Sequence, residues 1–344
     1  MSTMHPGSPE DEGRAPRQAL EEALYEIKRV IVGQDAMLER LLVALLAGGH
    51  VLLEGVPGLA KTLTVRTLAD VMGGTFRRIQ FTPDLVPSDL VGTRIYRPDS
   101  GRFDVELGPV FGNFLLADEI NRAPAKVQSA LLEVMQEHQV TIGAESFAVP
   151  DPFLVLATQN PIESEGTYPL PEAQIDRFLF KVLVEYPTMG EEASIVGRSL
   201  RPSEQAQVHL TMAELVRYQQ AAAEIFVDRE VVAYAVQLVD GTRNPARYGL
   251  SDLEQQIQYG SSPRGAIGMV HAARALALLR GRRHAVPDDV RDLAHDVLRH
   301  RIVPSYDALS DGVTTDQMLD RIVEAVGEGR VAPAVSHSER ETAA

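Results

Sequence analysis

The stretch HVLLEGVPGLAKT (residues 50–62) decides the fold, because an apolar strand pattern runs straight into a loop ending in Lys-Thr and a helical pattern follows. The loop fits the phosphate-binding pattern G-x-x-x-x-G-K-[ST], in which backbone N–H groups and the positive end of the next helix face the phosphates. We expect Lys61 to reach the β- and γ-phosphates of a nucleotide and the Thr62 hydroxyl to bind Mg²⁺. Ala60 stands where the pattern has its second glycine, so an ordinary Gly-Pro turn before a helix is the alternative. The setting between strand and helix favours the phosphate loop.

A second strand pattern, FLLADE (residues 114–119), ends in two acids. A buried parallel strand with carboxylates at its carboxyl end fits the partner that a phosphate loop needs for its metal. Because successive side chains of a strand point to opposite faces, we expect the two acids to have different roles. Asp118 is predicted to bind Mg²⁺ and Glu119 to polarise the attacking water. A strand that ends in a polar turn is the alternative, but the two stretches together indicate hydrolysis of ATP.

The pattern along the chain changes once. From about residue 18 to 187, short apolar runs alternate with helical stretches, which predicts βαβ units and a largely parallel sheet. From 188 to about 330 only helical periodicity remains. We therefore expect an α/β P-loop domain followed by an all-helical lid domain, with the boundary near Tyr186–Gly190. Residues 1–17 and 331–344 are polar without periodicity and are predicted to be disordered tails.

The composition excludes several classes of protein. The chain has 33 basic and 48 acidic residues and a formal net charge of −15, which argues against a nucleic-acid-binding surface. It has no cysteine, which excludes disulfides, thiol catalysis and cysteine-ligated metals. No apolar stretch approaches the roughly 20 residues of a membrane span, and the first residues lack the apolar core of a signal peptide. We therefore expect a cytoplasmic protein that is not inserted in a membrane.

Three further polar residues are candidates for roles around a nucleotide. Asn160 follows another apolar strand and either orients the water or touches the γ-phosphate; a turn before proline is the alternative. Arg177 either pairs locally with Asp176 or Glu172 or serves a neighbouring subunit as an arginine finger. Arg264 lies in the first turn of a predicted helix, where a cation opposes the helix dipole. An anionic ligand explains a cation at that position, and a surface ion pair is the alternative.

These residues carry a resemblance to a known family. Residues 55–62, 115–142 and 157–178 resemble the MoxR family of AAA+ ATPases, which commonly shows G-x-P-G-x-A-K-T, so Ala60 fits the family. The resemblance extends over roughly residues 20–330. It implies family roles for the acids, the amide and the arginines: Asp118 and Glu119 as the Walker B pair, Asn160 as sensor 1, Arg177 as the arginine finger and Arg264 as sensor 2.

The resemblance also implies where ATP binds, with the nucleotide between the two domains. The residues predicted to hold it are Val32, Gly33 and Gln34 beside the adenine, then Gly55, Val56, Pro57, Gly58, Leu59, Ala60, Lys61, Thr62 and Leu63 in and after the phosphate loop, and Asp118. Thr62 and Asp118 are the predicted Mg²⁺ ligands.

Finally, the resemblance implies assembly and a partner. We expect a homo-oligomeric ring, hexameric by family analogy, that couples ATP hydrolysis to chaperone-like remodelling or activation of a partner protein with a von Willebrand A domain. Two turn-centred segments, Gly92–Gly112 and Gln139–Pro150, match positions that carry channel- or partner-facing hairpins in related AAA+ proteins, or are plain surface hairpins. A magnesium-chelatase-like motor subunit and a nucleotide-gated scaffold with little turnover are the alternatives.

Overall fold

The computed structural model describes residues 15–99, 101–160, 166–200 and 206–327. Within these ranges the strands form one five-stranded sheet and three two-stranded sheets. In chain order they are β1 (Val51–Glu54), β2 (Phe76–Gln80), β3 (Gly92–Arg97), β4 (Arg102–Leu107), β5 (Phe114–Asp118), β6 (Gln139–Ile142), β7 (Glu145–Ala148), β8 (Leu154–Gln159), β9 (Phe180–Leu183), β10 (Ile257–Tyr259) and β11 (Val303–Pro304).

The helices of the same described ranges lie on both faces of the large sheet and form the C-terminal part. They are α1 (Pro16–Val30), α2 (Asp35–Leu46), α3 (Lys61–Val71), α4 (Pro87–Val91), α5 (Ala125–Glu137), α6 (Glu172–Ile175), α7 (Met189–Ser199), α8 (Met212–Ala223), α9 (Arg229–Arg243), α10 (Leu253–Gln256), α11 (Pro263–Leu279), α12 (Pro287–Leu298), α13 (Tyr306–Ser310) and α14 (Thr315–Gly327). Local chemistry sets their ends: Thr188 and Thr211 each exchange hydrogen bonds with a glutamate three residues on, which starts α7 and α8.

The large sheet brings distant parts of the chain together. Its strand order is β2-β5-β8-β1-β9, and every pairing is parallel. Leu156 of β8 pairs with Val51 of β1 on one side and with Leu116 of β5 on the other. The carboxyl ends of β1, β5 and β8 are therefore neighbours, and the segments that follow these strands meet at one end of the sheet.

Both faces of the sheet are buried at its central strands, which explains why β1, β5 and β8 are continuous apolar runs. Leu53 and Leu116 face a core that also contains residues of α1, α2 and α3. Leu52 and Leu115 face a second core built with α5. The first core continues into α8, α9, α11, α12 and α14. The C-terminal helices therefore pack on the α/β part through one shared hydrophobic core.

The predicted parallel sheet and helical lid are confirmed, and both turn-centred segments form hairpins, β3–β4 and β6–β7. Two details differ. Helix α1 begins at Pro16, inside the stretch predicted as a tail, because proline is favourable in a first helical turn. The lid also contains the antiparallel ribbon β10–β11, whose strands are too short to show a period. Residues 1–14 and 331–344 of the predicted tails, and Ser100 in the first hairpin's turn, lie outside the described residues.

The connection between the α/β part and the lid is short. Strand β9 ends at Leu183 and α7 begins at Met189, and the domain boundary that we propose near Tyr186–Gly190 spans the end of this connection and the first two residues of α7. We accordingly propose domains of residues 18–187 and 188–330. Among the described residues, no helix is long and apolar enough to cross a membrane.

A buried histidine, His50, fixes the entry into β1. Its Nδ1 accepts a hydrogen bond from the backbone N–H of Val155 at 3.1 Å, so Nε2 carries the proton and donates to the carbonyl oxygen of Met135 at 3.1 Å. The ring therefore joins β8 to the last turn of α5 in its neutral form. Burial lowers the pKa of His50 to about 4, well below its ordinary value of 6.5.

This shift predicts a pH-dependent stability. The unfolded chain binds a proton at His50 below pH 6.5 that the folded chain binds only near pH 4, so the stabilisation is complete above pH 6.5 and is lost as the pH falls toward 4. The size is about 3 kcal/mol, from about 1.4 kcal/mol for each pKa unit. Urea unfolding at pH 7.5 and pH 4 measures it, and His50→Gln is expected to lose less stability than the parent between these pH values. An equal loss in both proteins would contradict the assignment.

Candidate active site

The phosphate loop joins β1 to α3 and contains two residues with left-handed backbone. Gly58 has φ +87°, and a Cβ built on it meets no atom within 4 Å. Ala60 has φ 54° and precedes Lys61, the first residue of α3. Ala60 thus adopts a conformation that glycine takes more easily, which explains why the general pattern has glycine there. The backbone curls as a phosphate loop requires, with the start of α3 beside it.

Lys61 lies within the loop. Its Nζ donates a hydrogen bond to the carbonyl oxygen of Gly55 at 2.6 Å, so the ammonium group closes the loop. Burial lowers the pKa of Lys61, and the negative charges of Asp118, Glu119 and Glu54 oppose that shift. These attractions are consistent with the strand order, which brings the ends of β1 and β5 to one end of the sheet.

Asp118 and Glu119 are both bonded to Thr158, one through its side chain and the other through its backbone. Thr158, at the end of β8, donates through its hydroxyl to Asp118 Oδ1 at 2.6 Å and accepts the backbone N–H of Glu119 at 2.8 Å. Strand β5 ends at Asp118, and Glu119 has left-handed backbone, φ 55° and ψ 52°. Glu119 therefore lies in a turn after the strand, so the strand alternation on which the sequence prediction rested does not extend to it.

Besides Thr158, three further side chains that the sequence analysis did not single out contact the two acids. Arg78 of β2 donates to Asp118 Oδ2 through Nη2 at 2.6 Å. Gln80, two residues further along β2, donates to Glu119 Oε2 at 2.8 Å, and Arg122 donates to the same oxygen at 3.0 Å. The signal in the sequence was the alternation of Arg78 and Gln80 in FRRIQF, but it carries meaning only once β2 is known to pair with β5.

A cavity of about 740 Å³ lies beside the phosphate loop. Its walls come from the α1–α2 connection, the phosphate loop and α7. Most of its lining is provided by Val30, Ile31, Val32, Gln34, Gly58, Leu59, Ala60, Leu63, Ile195 and Arg198. An apolar cavity of this size next to a phosphate loop suits a purine nucleoside.

The structure thus brings many of the predicted nucleotide contacts into one place. Val32, Gln34, Gly58, Leu59, Ala60 and Leu63 line the cavity. Gly33, Gly55, Val56, Pro57, Lys61, Thr62 and Asp118 belong to the neighbouring segments and are not part of its lining. Gln34 is fixed by a hydrogen bond from its Nε2 to the carbonyl oxygen of Glu185 at 3.0 Å, which ties the α1–α2 connection to the end of the α/β part.

Asn160 directly follows β8 and is buried. Because β8 lies between β1 and β5, this amide lies at the same end of the sheet as the phosphate loop and the two acids. The following residues, 161–165, lie outside the described part of the chain.

Arg177 and Arg264 lie together, apart from the large cavity. Both line a second cavity of about 240 Å³, with Met135 and Asp176 among its other walls. Arg177 Nη1 donates to the carbonyl oxygen of Leu132 at 2.9 Å. Arg177 thus bonds to α5 rather than to the carboxylates of Asp176 or Glu172.

Arg264 is half-exposed in the first turn of α11. Its Nη1 lies 3.7 Å from Asp176 Oδ2, so the ion pair considered from the sequence does form, although it is long. Sensor 2 was expected at a nucleotide between the two domains of one chain. Arg264 instead lies beside Arg177, and it does not line the cavity at the phosphate loop.

Comparison with known proteins identifies the family. Residues 50–180 match the model of the ATPase family associated with various cellular activities (AAA), and residues 251–322 match the AAA lid domain. Chaperone MoxR1 of Mycobacterium tuberculosis is 56% identical over 321 residues, which cover 93% of this chain and 85% of that protein. The chain belongs to the MoxR family of AAA ATPases. The resemblance drawn from the sequence is therefore confirmed.

Two other relatives of this MoxR-family chain span most of its length. Protein MoxR of Methylorubrum extorquens is 32% identical over 331 residues, covering 90% of this chain and 93% of that protein. A crystal structure of a candidate ATPase from Cytophaga hutchinsonii has a TM-score of 0.86 at 47% identity and covers 90% of this chain and 94% of its own. Both likenesses include the lid as well as the α/β part of the MoxR-family chain.

Proposed function

We propose that this MoxR-family chain binds ATP at the phosphate loop and hydrolyses it. The observation that carries the proposal is the convergence at one end of the sheet of Lys61, Asp118 and Glu119, next to a cavity of about 740 Å³. A nucleoside fits the cavity, and the ammonium group and loop N–H groups suit its phosphates.

The residues near the loop fit Mg²⁺, which prefers oxygen ligands. The Thr62 hydroxyl and the Asp118 carboxylate are such ligands, and the Thr158 hydroxyl orients the carboxylate. Arg78 donates a hydrogen bond to Asp118 Oδ2, so this bond has to break before a ligand can bind that oxygen from the side of Arg78. When bound, Mg²⁺ would neutralise part of the phosphate charge.

Glu119 is the proposed general base. A carboxylate can accept the proton of an attacking water, and Glu119 lies in the turn directly after Asp118. Gln80 and Arg122 both donate to its Oε2, so they orient the carboxylate. Asn160, at the end of β8, is the proposed partner that orients the water.

Arg177 and Arg264 are proposed to serve the site of a neighbouring subunit. Their shared cavity is separate from the one beside the phosphate loop, which supports a role outside the chain's own site. A role of this kind requires a homo-oligomer in which one subunit's arginines meet the next subunit's phosphates. We propose a ring, with a hexamer as the family analogy suggests.

The output that we propose is chaperone-like remodelling of a partner protein, one with a von Willebrand A domain. The hairpin β3–β4 supports a docking role, because Tyr96 and Phe103 pair across its strands with ring centroids 5.2 Å apart and are both exposed. Arg97 and Asp104 form an ion pair on the opposite face of the hairpin. A magnesium-chelatase-like motor would also hydrolyse ATP, whereas a nucleotide-gated scaffold would release no phosphate at steady state.

Affinity capture tests the partner role. Immobilised Glu119→Gln protein in ATP is expected to enrich a protein with a von Willebrand A domain from cell extract, because this variant binds ATP without cleaving it and keeps the ATP state populated. Lys61→Ala protein, which lacks the phosphate contact, is the control. Enrichment of nucleic acid, or of no protein beyond the control, would remove the partner-remodelling proposal.

The hairpin variants refine the same test. Tyr96→Ser with Phe103→Ser in the Glu119→Gln background is expected to lower capture about tenfold or more, since exposed aromatic anchors dominate many interfaces. Arg97→Ser with Asp104→Ser removes a pair of opposite charges from the other face of the same hairpin and is expected to leave capture unchanged. Equal loss in both variants would show that the aromatic face is not the docking surface.

A further inference from the structure

Three consecutive lid residues, Arg299, His300 and Arg301, hold the segment that contains Arg177. They follow α12 and donate hydrogen bonds to main-chain carbonyl oxygens of residues 176–181. Arg299 Nη1 donates to Lys181 O at 2.7 Å, His300 Nε2 to Phe178 O at 3.1 Å, and Arg301 Nη2 to Phe178 O at 2.7 Å and Asp176 O at 3.1 Å. The lid is thus hydrogen-bonded to the main chain on the carboxyl side of Arg177 and at the residue before it.

Arg301 makes most of the hydrogen bonds between the lid and this segment. Its side chain is only 3% exposed, and its Nε donates to Asp176 Oδ1 at 2.8 Å. Its Nη1 donates to Leu179 O at 3.2 Å and to Val297 O. Together with the two bonds of Nη2, the five N–H groups of the guanidinium have five acceptors. A lysine, with three donors on one nitrogen, cannot reproduce this planar arrangement.

Asp176 connects the residues after α12 to the start of α11. Its Oδ2 accepts the hydroxyl of Ser262, the N-cap residue of α11, at 3.0 Å and lies 3.7 Å from Arg264 Nη1. The residue directly before Arg177 is therefore bonded to the start of α11 and to the end of α12. Any displacement of these lid helices relative to the sheet would move Asp176, and the adjacent Arg177 with it.

We propose that Arg301, through Asp176, is a positioning residue that sets the direction of Arg177 and couples it to the position of the lid. The inference rests on the proposed role of Arg177 at a neighbouring subunit's site. Arg301 lines the same cavity as Arg177, but all five of its N–H groups are engaged within the chain, so it acts through Asp176. Its effect is on how accurately the Arg177 guanidinium is presented, and a misplacement of about 1 Å costs about 10²-fold in rate.

The test is Arg301→Lys in the full-length protein, with steady-state phosphate release and nucleotide binding as readouts. We expect kcat to fall about 10- to 100-fold with the Kd for ATP unchanged, because the variant's own phosphate loop is intact. The matched control is Arg282→Lys, which alters another buried ion pair of the lid, with Asp289, that has no contact with residues 176–181. It is expected to keep the parent kcat.

Mixtures of variant chains distinguish a misplaced Arg177 from a general loss of structure. Arg301→Lys mixed with Glu119→Gln is expected to regain turnover, because an intact Arg177 from one chain then meets an intact Glu119 from the other. Arg301→Lys mixed with Arg177→Ala is expected to regain none, since both chains present a defective arginine. A parent-like kcat for Arg301→Lys, or no recovery with Glu119→Gln, would overturn the inference. If Arg301→Lys does not fold, Asp176→Asn, which keeps an oxygen acceptor for Arg301, is put through the same mixtures and is expected to lose about tenfold in kcat.

The role of Arg177 itself is read independently from Arg177→Ala mixed with Glu119→Gln. No recovery there would sink the proposed function of Arg177 at the neighbouring site. Recovery there, with none for Arg301→Lys, would leave that function standing and remove Arg301 alone.

Discussion

Glu119→Gln is expected to lower kcat for ATP hydrolysis by about 10²- to 10⁴-fold, the range typical of a lost general base, while the Kd for ATP stays near the parent value. Glutamine keeps the shape of the side chain and an oxygen that can accept from Gln80 and Arg122, but its amide does not take a proton from water. The base acts on the attacking water and not on the bound phosphates, so binding and turnover should separate. Steady-state phosphate release and equilibrium nucleotide binding measure the two effects.

Lys61→Ala is the comparison variant for this prediction. In the parent protein, Lys61 Nζ closes the phosphate loop by donating to Gly55 O and would contact the phosphates directly. We therefore expect the variant to lose affinity for ATP as well as turnover. If Glu119→Gln hydrolysed ATP at the parent rate, another group would have to be the base. If the parent protein released no phosphate at all, the scaffold alternative would replace the ATPase proposal.

The sequence was sufficient for the parallel sheet because its signals are local. Strand β1 runs into the phosphate loop within a dozen residues, and β5 and β8 are apolar runs that end in polar side chains. Such runs fit strands buried on both faces, and the helices between them require parallel pairing. The ribbon β10–β11 could not be predicted in the same way, because its pairing joins residues 257–259 to 303–304 and depends on how α11 and α12 pack.

The contacts of the acids needed the strand order as well. Arg78 and Thr158 reach Asp118 from opposite sides because β5 lies between β2 and β8, although each is 40 residues away in sequence. Glu119 also departs from the expected strand alternation, since it follows β5 and has left-handed backbone. Sequence patterns give the chemistry of such residues, but packing decides which of them meet.

Arg301 is a stronger example of a contact that the sequence pattern cannot predict. It pairs with Asp176, which is 125 residues away in sequence. Nothing in the local pattern RHR distinguishes a buried, fully hydrogen-bonded arginine from an exposed one at a helix end. Burial makes the difference, since a buried guanidinium needs all its donors satisfied and an exposed one can use water. The position of Arg264 also depends on tertiary structure, because α11 carries it to Asp176 and not to the cavity beside the phosphate loop.

Arg177→Ala is expected to lower kcat by about 10³- to 10⁵-fold, the range typical of a lost arginine finger, with the Kd for ATP of each chain little changed. The loss should be large because the guanidinium would stabilise charge that develops on the phosphoryl group only during the reaction. In the isolated chain Arg177 donates to Leu132 O, outside the cavity of its own phosphate loop. Activity per subunit of the parent protein should therefore rise with protein concentration, as subunits assemble.

Mixing Arg177→Ala with Glu119→Gln chains decides between a role in the same chain and a role in the neighbour. In random assemblies, roughly one interface in four combines an intact finger from a Glu119→Gln chain with an intact base in an Arg177→Ala chain, because each site uses different faces of two neighbours. Turnover should reappear at those interfaces, although neither variant is active alone. If Arg177 instead served its own chain's site, every chain in the mixture would lack one essential group, and no assembly could restore hydrolysis. A rate independent of protein concentration, together with an inactive mixture, would exclude the neighbouring site.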